Sequence, residues 1–292
     1  MPTTAGYRSD GRPGKAGSAL RSFVVRFLSG RRRNTSEPDA LEPGELPLPP
    51  EEMRALVGTT DPALFDNPAG APVFPGLEPQ QFRSVLDFGC GCGRLARQLI
   101  QQRPRPEHYA GVDLHAGMIR WCNENLAPRA PGFAFHHHDV LYGGFNPGEG
   151  KPLHDVLPFG DDEFSLIISI SVFTHLTQSQ SEAYLAELSR VLAPGGILLT
   201  SWFLFDKRDF PMMQDDQNTL FINEHDIRNA VIYDKAWLRS ATADAGLVLC
   251  AAAAPGIRGH QWELRMTQAG RGVVEIELPE DLAAAAATAS GR

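Results

Sequence analysis

Residues 85–94 read Val85-Leu86-Asp87-Phe88-Gly89-Cys90-Gly91-Cys92-Gly93-Arg94. An apolar run breaks on three alternating glycines and then enters a helix-forming stretch. The apolar run suits a strand buried on both faces of a sheet. Glycine lets the backbone turn sharply and lets a ligand come close to it. A strand, a glycine turn and a helix in this order open a parallel α/β sheet, which binds ligands at the carboxyl ends of its strands.

The remainder of the chain keeps that alternation. Periodicity predicts strands at 84–88, 109–114, 133–138, 164–172 and 196–203, with terminal strands at 247–252 and 262–267. Helices are predicted at 50–57, 94–102, 117–126, 180–192 and 234–245. Strands alternating with helices mean a mainly parallel sheet with covered faces.

The glycine spacing is GxGxG, and Arg94 stands where the dinucleotide fingerprint needs a glycine. Asp87, inside the strand end, also disfavours a pyrophosphate and favours a cationic or hydroxylated ligand. Asp113 ends the second strand, where an acid accepts hydrogen bonds from both hydroxyls of a ribose. Asp139 ends the third. Three acids around one crevice suit a ligand with an amine, a ribose and an adenine amino group.

With those residues in place, the chain resembles the class I S-adenosylmethionine-dependent methyltransferases. The matching stretches are VLDFGCGCGRLA (85–96), GVDLHAGMIRWC (111–122), HHDV (137–140), PFGDDEFSLIISISVFTHL (158–176) and LAPGGILLTSW (192–202), in order across residues 80–268. The resemblance implies an α/β fold, a Rossmann-like three-layer sandwich whose seven-stranded, mainly parallel sheet ends in a reversed C-terminal hairpin. It implies S-adenosylmethionine as cofactor and S-adenosylhomocysteine as its product. Residue by residue, it puts Gly89, Cys90, Gly91 and Gly93 against the methionine and ribose portion. Asp87 orders the amine, Asp113 holds the ribose, and Leu114 packs on adenine. Asp139 and Val140 meet the adenine edge, and Ser169 lines the methionine end. Ser165 departs from the family, which often carries Asp there.

Methyl transfer is an in-line displacement, so the protein mainly aligns nucleophile, methyl and sulfur. An alcohol acceptor also benefits from a general base. His175, in the phrase after the fourth strand, is the candidate base; the alternative is that it only orients the donor or the loop. Acceptor contacts are expected from Phe65, Phe173, Phe205, His225 and Tyr233. Residues 204–229, rich in aromatics and acids, read as a lid, and residues 65–74 as the other wall. No metal is expected. On a strand His136 and His138 share a face that His137 leaves, and a third ligand has to come from elsewhere. Cys90 and Cys92 fit small residues in a crowded glycine loop.

Charge divides the chain. Residues 1–33 hold eight basic residues and one acid, a net +7, while the rest carries 19 basic and 34 acidic residues, a net −15. An acidic body is a poor partner for nucleic acid. Four cysteines in 292 residues make no disulfide framework and suit a reducing, cytoplasmic setting. Residues 1–48 read as a basic N-terminal arm with an amphipathic helix at 19–29 and a Pro-rich linker. Such a helix suits an anionic membrane surface or a protein partner. Residues 49–270 form the methyltransferase domain and 271–292 an Ala-rich tail. The function that follows is O-methylation of a small-molecule or lipid-linked acceptor, such as a sugar or secondary metabolite. The alternatives are N-methylation of a small amine and a non-catalytic donor-binding partner of a biosynthetic complex.

Overall fold

The computed structural model describes residues 46–142, 146, 150–151, 156–221, 229–257, 261–270 and 273–278. The chain divides into units 1–39 and 40–292, and every described residue belongs to the second. The helix expected at 19–29, His225 and residues 279–292 lie outside the described residues.

Strand β1 (Ser84–Phe88) lies between β2 (His108–Asp113) and the strand Phe164–Ser169, here β4, and pairs in parallel with both. Being central, it has its side chains covered on either face, which explains its unbroken apolar run. Val85 packs into one core and Leu86 and Phe88 into another. Strand β3 (Phe133–His137) pairs in parallel with β2, and β5 (Leu192–Phe205) with β4. Helices α2 (Arg94–Gln101) and α3 (Ala116–Asn125) cover the Val85 face through Leu99, Ile100 and Ile119. Helices α4 (Gln178–Val191) and α5 (Lys235–Asp244) cover the Leu86 face through Leu185, Leu188 and Leu238. Helix, sheet and helix form three layers, as expected.

The last two strands are β8 (Leu247–Ile257) and β9 (Gln261–Gln268). Strand β9 runs antiparallel to β5 over Leu198–Trp202, and β8 antiparallel to β9. The frame β3-β2-β1-β4-β5-β9-β8 therefore has the reversed hairpin that the resemblance implies. Two short strands bring the described sheet to nine. They are β6 (Thr219–Phe221) and β7 (Val231–Asp234), inside the stretch expected to be a lid and just after it. The last residues of β5, Phe203–Phe205, pair in parallel with β7. These strands escape the sequence because each is short and the packing of Tyr233, rather than a periodic run, holds the second in place.

Two stretches assigned to the arm and the tail pack onto the body. Leu46 is buried in the α2 core. Arg97 donates to the carbonyls of Leu46 and Pro47 and pairs with Asp66 at 2.5 Å. Leu278 is buried, and Ile276 donates its N–H to Leu249 at 2.8 Å.

Candidate active site

The strand order reverses between β1 and β4, because β2 lies on one side of β1 and β4 on the other. The divergence of the following loops opens a crevice at the carboxyl ends there. A cavity of about 500 Å³ occupies this place.

Its floor is the glycine loop. Gly89 takes φ +91°, and a side chain there would run into Val172. Gly91 takes φ +55°, and a side chain there would run into Val57. Only glycine combines that conformation with that lack of space. The Gly91 N–H donates to Asp113 Oδ2 at 2.8 Å, and the His115 N–H to Asp113 Oδ1 at 2.8 Å. Each carboxylate oxygen keeps acceptor capacity toward the cavity. Burial pushes the Asp113 carboxyl up, and these two N–H groups oppose the shift.

Asp87 is buried at the end of β1 and accepts a hydrogen bond from the Tyr109 hydroxyl at 2.7 Å. Burial pushes its carboxyl up to about 7, against the effects of Tyr109 and Arg94. A carboxyl so poised responds strongly to a cation placed beside it.

The loop after β4 forms another wall. Ile170, Ser171, Val172, His175 and Leu176 line the cavity from it. Ser171 takes φ +60°, unusual for a side-chain-bearing residue. Its N–H donates to Ser201 Oγ at 2.7 Å and its hydroxyl to Gln261 Oε1 at 3.0 Å, which fixes the bend. His175 closes a 3-10 turn, Phe173–His175, and its N–H donates to the Val172 carbonyl at 2.9 Å. The remaining walls come from Leu114 and Met118 near β2, from His138, Val140 and Tyr142 after β3, and from Tyr184 of α4. His138 Nε2 and the Tyr184 hydroxyl lie 2.8 Å apart. The segment before β1, with helix α1 (Glu51–Leu56), adds Leu56, Val57, Leu64, Val73 and Phe74.

Of the residues singled out in the sequence, Asp87, Gly89, Cys90, Gly91, Asp113, Leu114, Val140 and His175 meet at this cavity. Gly93 lies just beyond, as the left-handed N-cap of α2. Asp139 is exposed, accepts from Asn146 Nδ2 at 3.0 Å, and does not line the cavity. Ser169 is fully buried within β4, and Ser171 takes the lining position instead. Phe65 is buried against Cys92 and Met118 beneath the glycine loop. Phe173 is buried and stacks on Trp202 with ring centroids 4.3 Å apart. Phe205 packs edge-on to Phe210. Tyr233 is fully buried behind the His175 turn. None of these four aromatic residues lines the cavity, and neither does any described residue of 204–221.

Sequence reasoning missed Arg94, Gln98, His115, Met118, His138 and Tyr184. Arg94 and Gln98 had a usable signal. They lie four residues apart on the helix that leaves the glycine loop, hence on one face. The histidine triplet also disperses. His136 meets Phe159 edge-on, His137 Nε2 lies 3.0 Å from the Leu114 carbonyl oxygen, and His138 meets Tyr184.

Residues 85–196 match a family model described as a methyltransferase domain. Among curated proteins, the chain is 29% identical over 120 residues to phthiotriol/phenolphthiotriol dimycocerosates methyltransferase 1 of Mycobacterium ulcerans. That match covers 40% of this chain and 36% of the relative. It is 29% identical over 127 residues to an uncharacterized methyltransferase of Geobacillus kaustophilus, covering 43% of this chain and 50% of that protein. The chain thus spans about half or less of the length of these relatives. Among solved structures, the Burkholderia thailandensis 1,6-didemethyltoxoflavin-N1-methyltransferase with bound S-adenosylhomocysteine aligns at a TM-score of 0.44 and 19% identity. That alignment covers 64% of this chain and 71% of the other.

Proposed function

We propose that the protein is a class I S-adenosylmethionine-dependent methyltransferase, a reading supported by the methyltransferase-domain match of residues 85–196, and that it methylates a small-molecule or lipid-linked acceptor at a hydroxyl oxygen. One observation carries this reading. A single cavity gathers the glycine loop, two buried carboxyls and a histidine at the carboxyl ends of β1, β2 and β4.

The residues present fit the methyl donor. The cavity, at about 500 Å³, falls within the range of about 300–1,000 Å³ common for cofactor sites. A Cβ on Gly89 or Gly91 would collide with Val172 or Val57, so the loop leaves its backbone bare toward a ligand. Asp87 offers a carboxylate to the donor's ammonium. Asp113, held by two N–H groups, presents its remaining lone pairs to ribose hydroxyls. Leu114, Met118 and Val140 give the adenine ring apolar surfaces.

When bound, S-adenosylmethionine supplies a methyl group on an electron-poor sulfonium sulfur. The glycine loop and the Ser171 bend hold the reacting partners in line. His175 accepts the acceptor's hydroxyl proton as the oxygen attacks. The apolar walls exclude water, which strengthens each electrostatic contact inside. The M. ulcerans relative is named for phthiotriol and phenolphthiotriol dimycocerosates, which supports a lipid-linked acceptor here. So do Leu56 and Leu64, both half-exposed at the cavity.

Comparative metabolite mass spectrometry of cells with and without the gene tests the reading. One compound is expected to lose a single methyl group when the gene is absent. An unchanged metabolite profile, with the purified protein still binding S-adenosylhomocysteine, rejects catalysis in favour of a binding partner.

A further inference from the structure

Arg94 begins α2 directly after the glycine loop and is half-buried in the cavity wall. It is the sole lysine or arginine among the described residues that line the cavity. The other buried arginines each bond to protein groups through the guanidinium, with the Nε of Arg97 left over. Arg97 reaches Leu46 O and Asp66, and Arg54 donates to the Pro49 carbonyl at 3.0 Å. Arg94 differs: among the described residues its guanidinium makes no hydrogen bond and no ion pair. Asp87 is near enough to be felt electrostatically, yet its hydrogen bond within the protein comes from Tyr109.

The cavity that Arg94 lines also carries the apolar side chains Leu64, Val73, Phe74 and Leu95. Gln98, one helical turn on, turns its amide to the Leu64 carbonyl at 3.0 Å and ties the wall together. A cation taken out of water without a partner is costly. The fork of a guanidinium matches a planar anion, and a carboxylate takes two of its N–H groups at once. The donor's ammonium and ribose already have Asp87 and Asp113, and the donor's own carboxylate is the competing anion that the test below separates from the acceptor's.

We propose that Arg94 binds a carboxylate on the acceptor, so that the acceptor is an apolar organic acid held by its charge in the wall formed by α2 and residues 64–74. This rests on the methyltransferase reading of the cavity. Arg94 sets the orientation of the acid, and Leu64, Val73 and Phe74 receive its apolar body.

The test uses the full-length protein saturated with S-adenosylhomocysteine, titrated by calorimetry with 1-naphthoate and with its neutral counterpart 1-naphthamide. Naphthoate is expected to bind about tenfold more tightly, the scale of a charge-assisted hydrogen bond. Arg94→Met is expected to abolish that preference and leave the amide unaffected. Arg94→Lys is expected to keep part of it, and Arg94→Gln replaces the methionine variant if thermal unfolding finds that one misfolded. Equal affinity for both probes, or no naphthoate binding, overturns the proposal. So does an Arg94→Met variant that loses affinity for S-adenosylhomocysteine but not for 5′-methylthioadenosine, because the arginine then serves the donor's own carboxylate. Failure of the unaltered chain to bind S-adenosylhomocysteine defeats the donor reading itself, and that result appears before any naphthoate is added.

Discussion

The hydroxyl of Tyr233 donates to the carbonyl oxygen of Phe173 at 3.0 Å, so a side chain of the added strand β7 holds the turn that carries His175. The same hydroxyl reaches the Leu176 carbonyl, and the Ser181 hydroxyl lies 2.9 Å away. Trp202 packs edge-on to the Tyr233 ring and Trp237 stacks on it. Tyr233→Phe keeps the ring and removes the bond. It is expected to cost about 1–3 kcal/mol of stability, the penalty for buried carbonyls left unpaired. Turnover is expected to fall while affinity for S-adenosylhomocysteine holds. Paired calorimetry and steady-state kinetics check this, and an equal loss of both would make Tyr233 part of the donor site.

His175 lines the cavity beside Leu176 and Val172. If it takes the acceptor's proton, His175→Ala lowers kcat by about 10²–10⁴-fold, the range for a lost general base. Added imidazole is expected to restore part of the rate. Retention of most activity assigns the histidine to the shape of the loop alone.

Asp87 gives a pH prediction. Its folded-state carboxyl is raised from 3.8 to about 7 by burial, so the protein holds a proton there that the unfolded chain releases. A raised carboxyl makes stability fall as pH rises from about 4 toward 7. Asp87→Asn is therefore expected to flatten that fall in thermal unfolding. Ligand binding moves the opposite way. The ammonium of S-adenosylhomocysteine favours the ionised carboxyl, so affinity rises from pH 5.5 to 7 by up to about tenfold per unit. Binding by Asp87→Asn is expected to be weaker and flat over this range. A flat profile in the unaltered protein would falsify the role of Asp87.

Gly91→Ala puts a side chain at φ +55° against Val57, and Gly91 is also the donor to Asp113 Oδ2. The left-handed conformation alone costs about 1–2 kcal/mol. Affinity for S-adenosylhomocysteine is expected to drop more than that strain implies, because relieving the clash with Val57 shifts the backbone N–H that Asp113 Oδ2 accepts. Calorimetry against a thermal unfolding series separates the two effects.

Arg97 ties the chain before β1 to α2 through Leu46, Pro47 and Asp66. Arg97→Met is expected to destabilise the protein by about 1–3 kcal/mol, since two carbonyls lose their donor. Limited proteolysis is expected to cut first within residues 46–76. Unchanged protection there contradicts the tether.

Much of this architecture was legible from periodicity. β1 has the same bounds in sequence and structure, because a central strand must be apolar on both faces and its end is marked by glycine. Other elements moved by a few residues for local reasons. α4 begins at Gln178 rather than 180, because Thr177 and Gln180 form a capping box that outranks the apolar stripe. Donor-side candidates such as Asp87 and Asp113 were readable because one loop and two strand ends supply them. The acceptor wall was not. Phe205 lies within the expected lid and Tyr233 just after it, yet both are buried away from the cavity, Tyr233 in the core and Phe205 against Phe210. Sequence gives an aromatic residue its type, whereas the direction of its side chain depends on which strands pair. Arg94 was read only as a missing glycine, and its place in the cavity depends on the helical face it shares with Gln98.

Val172 fills the space that a side chain on residue 89 would need. The glycine loop after β1 and the histidine-bearing loop after β4 thus pack directly on each other. A displacement of Val172 toward β1 meets the Gly89 backbone directly. Room to admit a ligand at this end of the cavity therefore depends on its other walls. The stretch that presses Val57 onto Gly91, joined to the body through Arg97, is the part mechanically placed to give.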